Sequence, residues 1–387
     1  MALDMPEEHR MLQDLVARFV DEELMPLEAN VIAREIKGEQ LRLLKEEEGP
    51  LLQKSKDLGL WALDAPEEVG GSSLPVTAMM GVHEELARTV TPYYFPPDSP
   101  NLHMLMAVAT PAQKKKYMEP YARGEAKSAI AISEPGAGGD PSGMTTKAEK
   151  VGGEWVINGR KIWVSRVPHA DFTVVMARVG SEMGHKGITA FVVDKGTKGF
   201  EIAREIPMLA GHRTYEIVFD NCRIPEDAIL GRVGEGFVPM QLRLNVRRLQ
   251  MGATSIGMSR RALDMLCAHA KQRKTFGALL SDRQAVQWWI ADGATKIHAC
   301  RLMVQAAAAR LDRGEDVRQL ASMIKVFSTE MASEIIDHAM QAFGAMGVTK
   351  EMPLHLMAQK VRVMRVYEGP SEVHRMTIAR RILAAVK

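Results

Sequence analysis

The acidic residue Glu368 is the first candidate for chemistry, because the sequence predicts a break between two helices around it. Pro353–Arg365 has the mixed apolar and basic pattern of one helix, and Pro370–Ala385 predicts another. Proline suits the first position of a helix, and Gly369 supplies a flexible joint before it. A carboxylate at such a break can point into a cavity and carry a catalytic proton. The alternative is a solvated charge that the helix dipole stabilises.

A glycine-rich loop, Ser133–Asp140, follows the short apolar run Ala129–Ile132 and is the second candidate. The hydroxyl of Ser133 could bind a cofactor, while the glycines let backbone N–H groups approach it closely. The loop lacks the GxGxxG spacing that opens a βαβ unit, so it does not imply a Rossmann site. A simple turn explains the loop equally well.

Three further motifs have both a cofactor interpretation and a plain structural one. Trp163 and Ser165 could flank a flat aromatic cofactor, although a Trp at a strand end usually packs in the core. Arg273–Gly277 couples a cation to an aromatic ring, which suits a pyrophosphate and an adenine; an exposed basic helix end is the alternative. Gln341–Gly347 has exposed backbone groups at a helix end, and alone it predicts a C-cap.

Composition excludes several classes of partner. The chain has 387 residues, 46% hydrophobic and 25% charged, which is ordinary for a soluble protein of two or three domains. A net charge of +2 gives no reason to expect nucleic acid or an anionic membrane, and no apolar run approaches membrane-spanning length. Three widely spaced Cys fit a reducing compartment, and the scattered His argue against a metal site. The first residues lack the pattern of a signal peptide, so we expect a cytoplasmic enzyme.

The predicted elements change character twice along the chain. Up to about residue 128, apolar residues recur at helical spacing. Short strand signals follow and predict a small antiparallel barrel or sandwich, with Asn158-Gly159 as the turn of a hairpin. The predicted strands include Trp155–Ile157, Lys161–Val164, Phe172–Ala177, Ile188–Val193 and Glu216–Phe219. An extended helical bundle then follows, with helices at about 238–271, 282–312, 316–343, 354–365 and 370–385.

In this order and at these spacings, the motifs resemble the acyl-CoA dehydrogenase family over essentially the whole chain. The resemblance is carried by Pro66–Gly71, Ser133–Asp140, Trp163–Ser165, Arg273–Gly277, Gln341–Gly347 and Tyr367–Gly369. It implies an α+β multidomain fold with an α-helical N-terminal domain (1–128), a small antiparallel β-barrel middle domain (129–235) and a C-terminal four-helix bundle (236–387). Glu368–His374 and Pro97–Asn101 resemble the subgroup of human acyl-CoA dehydrogenases ten and eleven.

The resemblance implies FAD as the cofactor and an acyl-CoA thioester as the substrate. It assigns the cofactor contacts to Ile130, Ile132, Ser133, Gly138, Gly139, Trp163, Ser165, Arg273, Thr275, Phe276, Gln284, Gln341, Ala342, Gly344, Ala345, Pro370 and Glu372. It assigns the substrate contacts to Gly139, Asn245, Arg248 and Gly369. In this family the residues that serve the flavin of a neighbouring subunit are those at Arg273, Thr275, Phe276, Gln284 and Gln341–Ala345. A homodimer is therefore the smallest complete unit, and a homotetramer is common.

The implied reaction is α,β-dehydrogenation, an oxidoreductase reaction on a CH–CH bond. Glu368 would abstract the α-proton while the β-hydrogen leaves as hydride to flavin N5, giving the trans-2-enoyl-CoA. The electrons would pass to an electron-transfer flavoprotein, as in fatty acid β-oxidation. We expect a raised pKa for Glu368 in an apolar pocket. The alternatives are an O₂-using flavin oxidase or monooxygenase on the same fold, and a non-catalytic acyl-CoA binder.

Four positions depart from the family pattern. Gly139 stands where many members have Ser, and Arg166 stands where Asn is usual. Pro370 replaces a common Thr, and Glu372 replaces a common Gln. The resemblance leaves the acyl chain of the substrate open, and it predicts the mitochondrial matrix rather than the cytoplasm if the source is eukaryotic.

Overall fold

Apolar residues at three- and four-residue spacing form the helices of the N-terminal region. The computed structural model describes residues 6–97, 100–182 and 184–386, so the sequence start and part of Pro97–Asn101 lie outside the described residues. Helix α1 buries Val16 and Phe19 on one face. The helices of this region are α1 (Glu7–Phe19), α2 (Glu28–Ile36), α3 (Lys45–Asp57), α4 (Val76–Leu86), α5 (Asn101–Val108), α6 (Pro111–Gln113) and α7 (Glu119–Ala122).

Short apolar runs form a seven-stranded sheet in the middle region. Its strands are β1 (Ser128–Ala131), β2 (Lys147–Val151), β3 (Glu154–Val164), β4 (Phe172–Arg178), β5 (Ile188–Asp194), β6 (Phe200–Pro207) and β7 (Arg213–Pro225). The order is β1-β4-β2-β3-β7-β6, and β5 also pairs with β4. Most pairs are antiparallel, whereas β4 runs parallel to β1 and β2. The sequence did not predict β2 and β6. Both strands are mostly exposed, β2 has few apolar residues, and Arg204 interrupts the apolar alternation of Phe200, Ile202 and Ile206 in β6.

The predicted hairpin at Asn158-Gly159 is wrong. Strand β3 runs straight through both residues, with a register shift against β7 between Ile157 and Gly159. Gly159 serves close approach instead, because a Cβ there would lie 2.5 Å from Thr146 Oγ1. The hairpin turn joins β2 to β3 at Gly152-Gly153, where φ is +60° and +83°. Two consecutive positive φ values suit a two-residue hairpin turn.

The C-terminal region is a bundle of long helices, as the apolar periodicity predicts. Its elements are α8 (Phe237–Ala270), β8 (Lys274–Thr275), β9 (Ala278–Leu279), α9 (Gln284–Asp312), α10 (Arg318–Phe343), α11 (Pro353–Met364) and α12 (Ser371–Ala385). Strands β8 and β9 form a small separate hairpin between α8 and α9. Helix α8 packs closely on α4, since a Cβ at Gly257 would lie 2.0 Å from the Glu84 carbonyl oxygen.

One apolar core joins the N-terminal helices to the bundle, and it includes Phe19, Leu249 and Ile324. The sheet contributes two further cores on its own faces. The mixed α+β class and the helix–sheet–helix order are thereby confirmed. The domain boundaries after residues 128 and 235 stay predictions. Within the described residues, no helix combines the length and the apolarity that crossing a membrane requires.

Candidate active site

Glu368 lies in the short connection between α11 and α12, as the sequence predicts. Its φ is +57°, in the left-handed region that residues with a side chain rarely adopt. Gly369 follows with φ of +95°, and a Cβ there would lie 2.9 Å from His374 Nε2. Trp163 and Phe276, two other predicted site residues, also have positive φ. Such conformations persist where the surrounding structure imposes them, and they cluster at functional sites.

Two side chains fix the backbone of this connection, residues 365–370, which we call the hinge. The Glu368 carbonyl oxygen accepts hydrogen bonds from Arg248 Nε and His374 Nε2, each at 3.1 Å. Burial, with a contribution from Arg248, lowers the pKa of His374 to about 4, so the ring is neutral. Because a carbonyl only accepts, the proton is on Nε2, and Nδ1 accepts from Ser322 Oγ at 3.1 Å. Arg248, expected at the substrate, therefore also holds the hinge.

Arg243 binds the carboxylate of Glu368. Its Nη1 lies 3.0 and 2.9 Å from the two carboxylate oxygens, and its Nε donates to Asn101 Oδ1 at 3.2 Å. Burial alone would raise the pKa of Glu368, but Arg243, Arg247 and Arg248 together outweigh it and the pKa is lowered. The expectation of a raised pKa is therefore wrong for the free enzyme. Three arginines face the hinge where sequence reasoning assumed an apolar pocket.

The glycine-rich loop meets the end of β3. The Ser133 carbonyl oxygen accepts from Ile162 N at 2.9 Å, which brings the loop beside Trp163. Trp163 is half-exposed, and Ser165 Oγ lies 3.2 Å from His212 Nε2. The structure thus brings Ser133, Trp163 and Ser165 together at the C-terminal end of β3. Ile130 and Ile132, in and just after β1, are partly buried against the core.

A buried ion pair anchors this loop. Lys161 Nζ donates to Glu134 Oε1 at 2.8 Å and to the Ile132 carbonyl oxygen at 2.9 Å. Glu134 also accepts from Thr145 N, Thr145 Oγ1 and Thr146 N, at 2.6, 2.8 and 2.9 Å. Burial alone would raise the pKa of Glu134, but Lys161 and these donors lower it. The pair fixes the backbone on both sides of Ser133.

Two departures from the family pattern are in contact. A Cβ at Gly139 would lie 3.2 Å from Val373 Cγ2 and 3.3 Å from Pro370 Cδ. Glycine at 139 therefore makes room for Pro370 at the start of α12. The same contact brings the glycine-rich loop against the helix that follows Glu368. Glu372 is exposed in the first turn of that helix.

A second group of predicted residues lies at the other end of α8. Arg273, Thr275 and Phe276 belong to the β8–β9 hairpin, and Gln284 begins α9. Arg283 Nη2 donates to the Thr275 carbonyl oxygen and holds this hairpin. Phe276 is fully exposed.

The end of α10 joins this second group. His269, near the end of α8, stacks on Phe343 with ring centroids 4.1 Å apart. Phe343 lies within the predicted segment Gln341–Ala345, and Arg273 N bonds the His269 carbonyl oxygen at 2.9 Å. The hairpin and the α10 terminus therefore share one end of the bundle.

Within one chain, the second group does not meet Glu368. From Arg248 to Ala270, α8 is continuous for about 33 Å at the usual helical rise. Asn245 lies at the hinge end of this helix, where its Oδ1 is buried without a hydrogen-bond partner among the described residues. The site residues thus divide into two groups. The hinge group lies around Glu368, and the distal group comprises Arg273, Thr275, Phe276, Gln284 and Gln341–Ala345.

Sequence reasoning missed Arg243, Lys161, Glu134 and His374 as site-shaping residues. Lys161 is a charged residue at an inward position of an apolar strand, and this signal could have indicated its ion pair with Glu134. The run Arg243–Arg248 on one helix was a weaker signal. In the part of the chain that the structure describes, no three His, Cys, Asp or Glu residues group in a way that could hold a metal ion.

Comparison with known proteins identifies the family. The N-terminal, middle and C-terminal domains of acyl-CoA dehydrogenase match residues 6–125, 129–222 and 234–383. An (R)-benzylsuccinyl-CoA dehydrogenase from Thauera aromatica is 39% identical over 99% of this chain and 97% of its own length. The chain belongs to the acyl-CoA dehydrogenase family.

Two further relatives agree with this assignment. The subunit CarC of a caffeyl-CoA reductase–Etf complex from Acetobacterium woodii is 34% identical over 97% of this chain and 98% of its own length. The structure of butyryl-CoA dehydrogenase from Megasphaera elsdenii superposes with a TM-score of 0.87 at 27% identity, covering 99% of this chain and 100% of that one. The resemblance to the subgroup of dehydrogenases ten and eleven stays a prediction.

FAD is the cofactor of the acyl-CoA dehydrogenase family. The residues present in this member fit it. Trp163 is 50% exposed beside Ser133, and the surroundings of Gly138 are open, with no atom within 4 Å of a Cβ built there. Phe276 offers a bare aromatic face next to Arg273 at the distal group, as an adenine and a pyrophosphate require.

Proposed function

We propose that this member of the acyl-CoA dehydrogenase family oxidises an acyl-CoA thioester to the trans-2-enoyl-CoA, with Glu368 as the general base. The observation that carries the proposal is the geometry of the hinge. Glu368 is held in the left-handed region by Arg248 and His374 on its carbonyl oxygen, while its carboxylate faces the interior. Its backbone N–H bonds no described residue and is therefore available to the thioester oxygen.

The residues of the chain would divide the work as follows. Bound FAD supplies a two-electron acceptor for the β-hydrogen. Glu368 takes the α-proton at a carboxylate oxygen, and Arg243 keeps that carboxylate ionised before substrate arrives. Ser133, Trp163 and Ser165 would line the flavin ring, and Lys161 with Glu134 would hold their backbone in place. Gly139 and Gly369 would border the thioester, with Asn245 and Arg248 on the CoA side.

The distal group supports a dimer as the working unit. About 33 Å of helix separate Arg248 from the end of α8, so Arg273, Phe276 and Gln341–Ala345 would complete a neighbour's cofactor site. Acyl-CoA and an electron-transfer flavoprotein are the proposed partners, and the CarC relative in an Etf complex supports the second. A homotetramer, a role in fatty acid β-oxidation and a cytoplasmic location stay proposals.

Anaerobic flavin bleaching tests the assignment. Acyl-CoAs of different chain lengths, including benzylsuccinyl-CoA, are added to the FAD-loaded protein, and the loss of flavin absorbance is followed. Glu368→Gln should slow bleaching about 100- to 10,000-fold, the usual loss on removing a positioned base. Glu351→Gln, at an exposed position, is the matched control. An unchanged rate in Glu368→Gln would remove Glu368 from the mechanism.

A second candidate is the same chemistry in reverse, the reduction of an enoyl-CoA. The relative in a caffeyl-CoA reductase–Etf complex favours it. The direction is tested by adding an enoyl-CoA to the reduced flavoprotein and an acyl-CoA to the oxidised one. A reductase would show complete flavin reoxidation by the enoyl-CoA and little bleaching by the acyl-CoA.

A further inference from the structure

A pocket beside the hinge combines apolar walls with one cation. Met79, Phe95 and Pro96 are among its apolar residues, and Arg247 and His83 are among its polar ones. Arg247 links this pocket to the hinge, because its charge also lowers the pKa of Glu368, against the opposing effect of burial. Pockets of this type fix a ligand by few polar groups within an apolar surface.

Arg247 has no carboxylate within ion-pair distance among the residues that the structure describes. Its hydrogen-bond partners are neutral side chains: Nη1 donates a long 3.3 Å hydrogen bond to Gln250 Oε1, and the guanidinium also bonds the Tyr367 side chain. The two other arginines at this end of α8 are engaged, Arg243 by the Glu368 carboxylate and Arg248 by the Glu368 carbonyl. The pocket does contain Asp64, but His103 Nε2 binds Asp64 Oδ2 at 3.0 Å. A part-buried guanidinium without an anion is costly unless a ligand supplies one.

His83 gives a second, independent sign of a polar ligand. Its Nε2 is buried and has no hydrogen-bond partner among the described residues. Burial, with a contribution from Arg247, lowers the pKa of His83 to about 4, so the ring is neutral. A neutral imidazole can donate through this nitrogen to an anion in the same pocket. Buried polar atoms without partners are rare and call for an explanation.

The surroundings of Tyr94, another lining residue, are also cationic. Lys360, with help from Arg247 and Arg166 and against the effect of burial, lowers the pKa of the Tyr94 phenol. Burial raises the pKa of Tyr367 to about 12, and Arg247 opposes this rise. A phenol that keeps its proton can donate a hydrogen bond to an anion. Both hydroxyls thus lie within the field of Arg247.

We propose that the acyl group of the substrate carries a free carboxylate, which Arg247 binds through its guanidinium fork with His83 and Tyr94 as additional donors. The inference rests on the proposed function, since it names the substrate class of that same site. Arginine is the side chain best suited to bidentate binding of a carboxylate. Arg247 follows Arg243 by one helical turn, about 6 Å along α8. The second carboxylate is therefore only a few bonds from the thioester, as in a short dicarboxylic acid joined to CoA at one end.

Binding of two unreactive thioethers tests this proposal without turnover. S-(4-carboxybutyl)-CoA and S-pentyl-CoA have the same number of carbon atoms in the S-alkyl group, and only the first ends in a carboxylate. By isothermal titration of the FAD-loaded protein, we expect the carboxylated compound to bind about 100-fold more tightly, the usual scale for one partner of a buried charge pair. Equal binding, or tighter binding of S-pentyl-CoA, overturns the proposal.

The variant Arg247→Gln assigns the preference to its residue. We expect it to reduce the preference for the carboxylate to a few-fold, and Arg247→Lys to restore part of it. Arg18→Gln, an exposed arginine in α1, is the control with the same loss of charge and should keep the full preference. A preference that survives in Arg247→Gln overturns the role of Arg247. If that variant does not fold, as judged by its flavin spectrum, the wild-type comparison still decides the substrate class.

Turnover separates failure of this inference from failure of the proposed function. Glutaryl-CoA and valeryl-CoA are added anaerobically to the oxidised enzyme. Faster bleaching by glutaryl-CoA supports both proposals. Faster bleaching by valeryl-CoA retains the dehydrogenase and overturns the carboxylate site. No bleaching by either compound or by any other acyl-CoA overturns the dehydrogenase itself.

Discussion

Glu134 in the sheet region is a buried carboxylate, and Glu368 at the hinge is a largely buried one with 15% of its side chain exposed. Each lies beside a cation, yet their hydrogen bonds differ. Glu134 accepts from four donors, three from Thr145 and Thr146 and one from Lys161 Nζ. Among the described residues, the Glu368 carboxylate is bound by Arg243 Nη1 alone. One carboxylate is saturated, and the other keeps free lone pairs.

The difference separates a structural acid from a reactive one. Each donor bound to a carboxylate stabilises the ionised form and leaves less capacity to accept a proton. Glu134, with Lys161 fully buried beside it, has no room for a substrate hydrogen. Glu368 can accept one, provided that a substrate displaces or shares the contact with Arg243. Four predictions can break or sharpen this comparison.

The largest effect should come from exchanging each acid for its amide. Glu368→Gln should lower the rate of flavin reduction about 100- to 10,000-fold, because no base remains. Glu134→Gln should lower stability and leave the intrinsic rate of the folded, FAD-loaded enzyme within a few-fold. Single-turnover bleaching and thermal unfolding of both variants measure the two quantities. Equal rate losses in the two variants would end the distinction.

The next effect concerns the buried ion pair between Lys161 and Glu134. Lys161→Met leaves Glu134 buried without its cation and should lower the free energy of unfolding by about 3–5 kcal/mol. Lys150→Met is the control, because Lys150 pairs with Glu226 on the surface and such pairs contribute about 0–1 kcal/mol. Urea unfolding measures both. A loss in Lys161→Met no larger than in the control would show that the pair is dispensable.

Arg243→Gln should shift the pH dependence of the reaction. Arg243 is the largest of the three charges that lower the pKa of Glu368 against burial, so its loss should raise that pKa. Because the base must be ionised, the acid limb of kcat/KM should move to higher pH. Steady-state rates across the acid range give the limb. A limb unchanged or moved to lower pH would assign the ionisation to another group.

The smallest effect concerns the contact of Gly139 with α12. Gly139→Ser alone should cost about 1 kcal/mol of unfolding free energy, because its Cβ presses on Pro370 and Val373. Adding Pro370→Thr should recover part of that loss if the two positions are coupled. Urea unfolding of the two single variants and the double variant measures the coupling. Simple additivity would show that the two departures are independent.

Periodicity and turn chemistry predicted most of the helical scaffold. The long helices of the bundle begin and end within a few residues of their predicted limits, since each carries a strong apolar repeat. The break at Glu368 was also predictable, because glycine and proline mark it. The strand β6 was not, since it is mostly exposed and Arg204 interrupts its apolar alternation. Asn158-Gly159 was wrongly predicted to be a hairpin turn, because the close approach of Thr146 to the backbone at Gly159 also requires glycine.

The site was predictable in its residue types and not in its electrostatics. The motif around Glu368 indicated a base, but the sequence could not show that Arg243, one of three nearby arginines, would reach it across 125 positions. The pKa of Glu368 depends on that distance, so its direction was predicted wrongly. The ion pair between Lys161 and Glu134 could not be predicted for the same reason, because the two residues lie on different segments. Pairings between distant segments require the fold.

The uninterrupted course of α8 has a consequence for mixed assemblies. This one continuous helix carries Arg243, Arg247 and Arg248 near its start and leads to the β8–β9 hairpin at its end. Each proposed catalytic centre would therefore draw on two polypeptides. A hybrid pairing a Glu368→Gln protomer with an Arg273→Ala protomer would hold one centre with both defects and one with neither. Two inactive preparations, dissociated and reassembled together, would then regain catalysis.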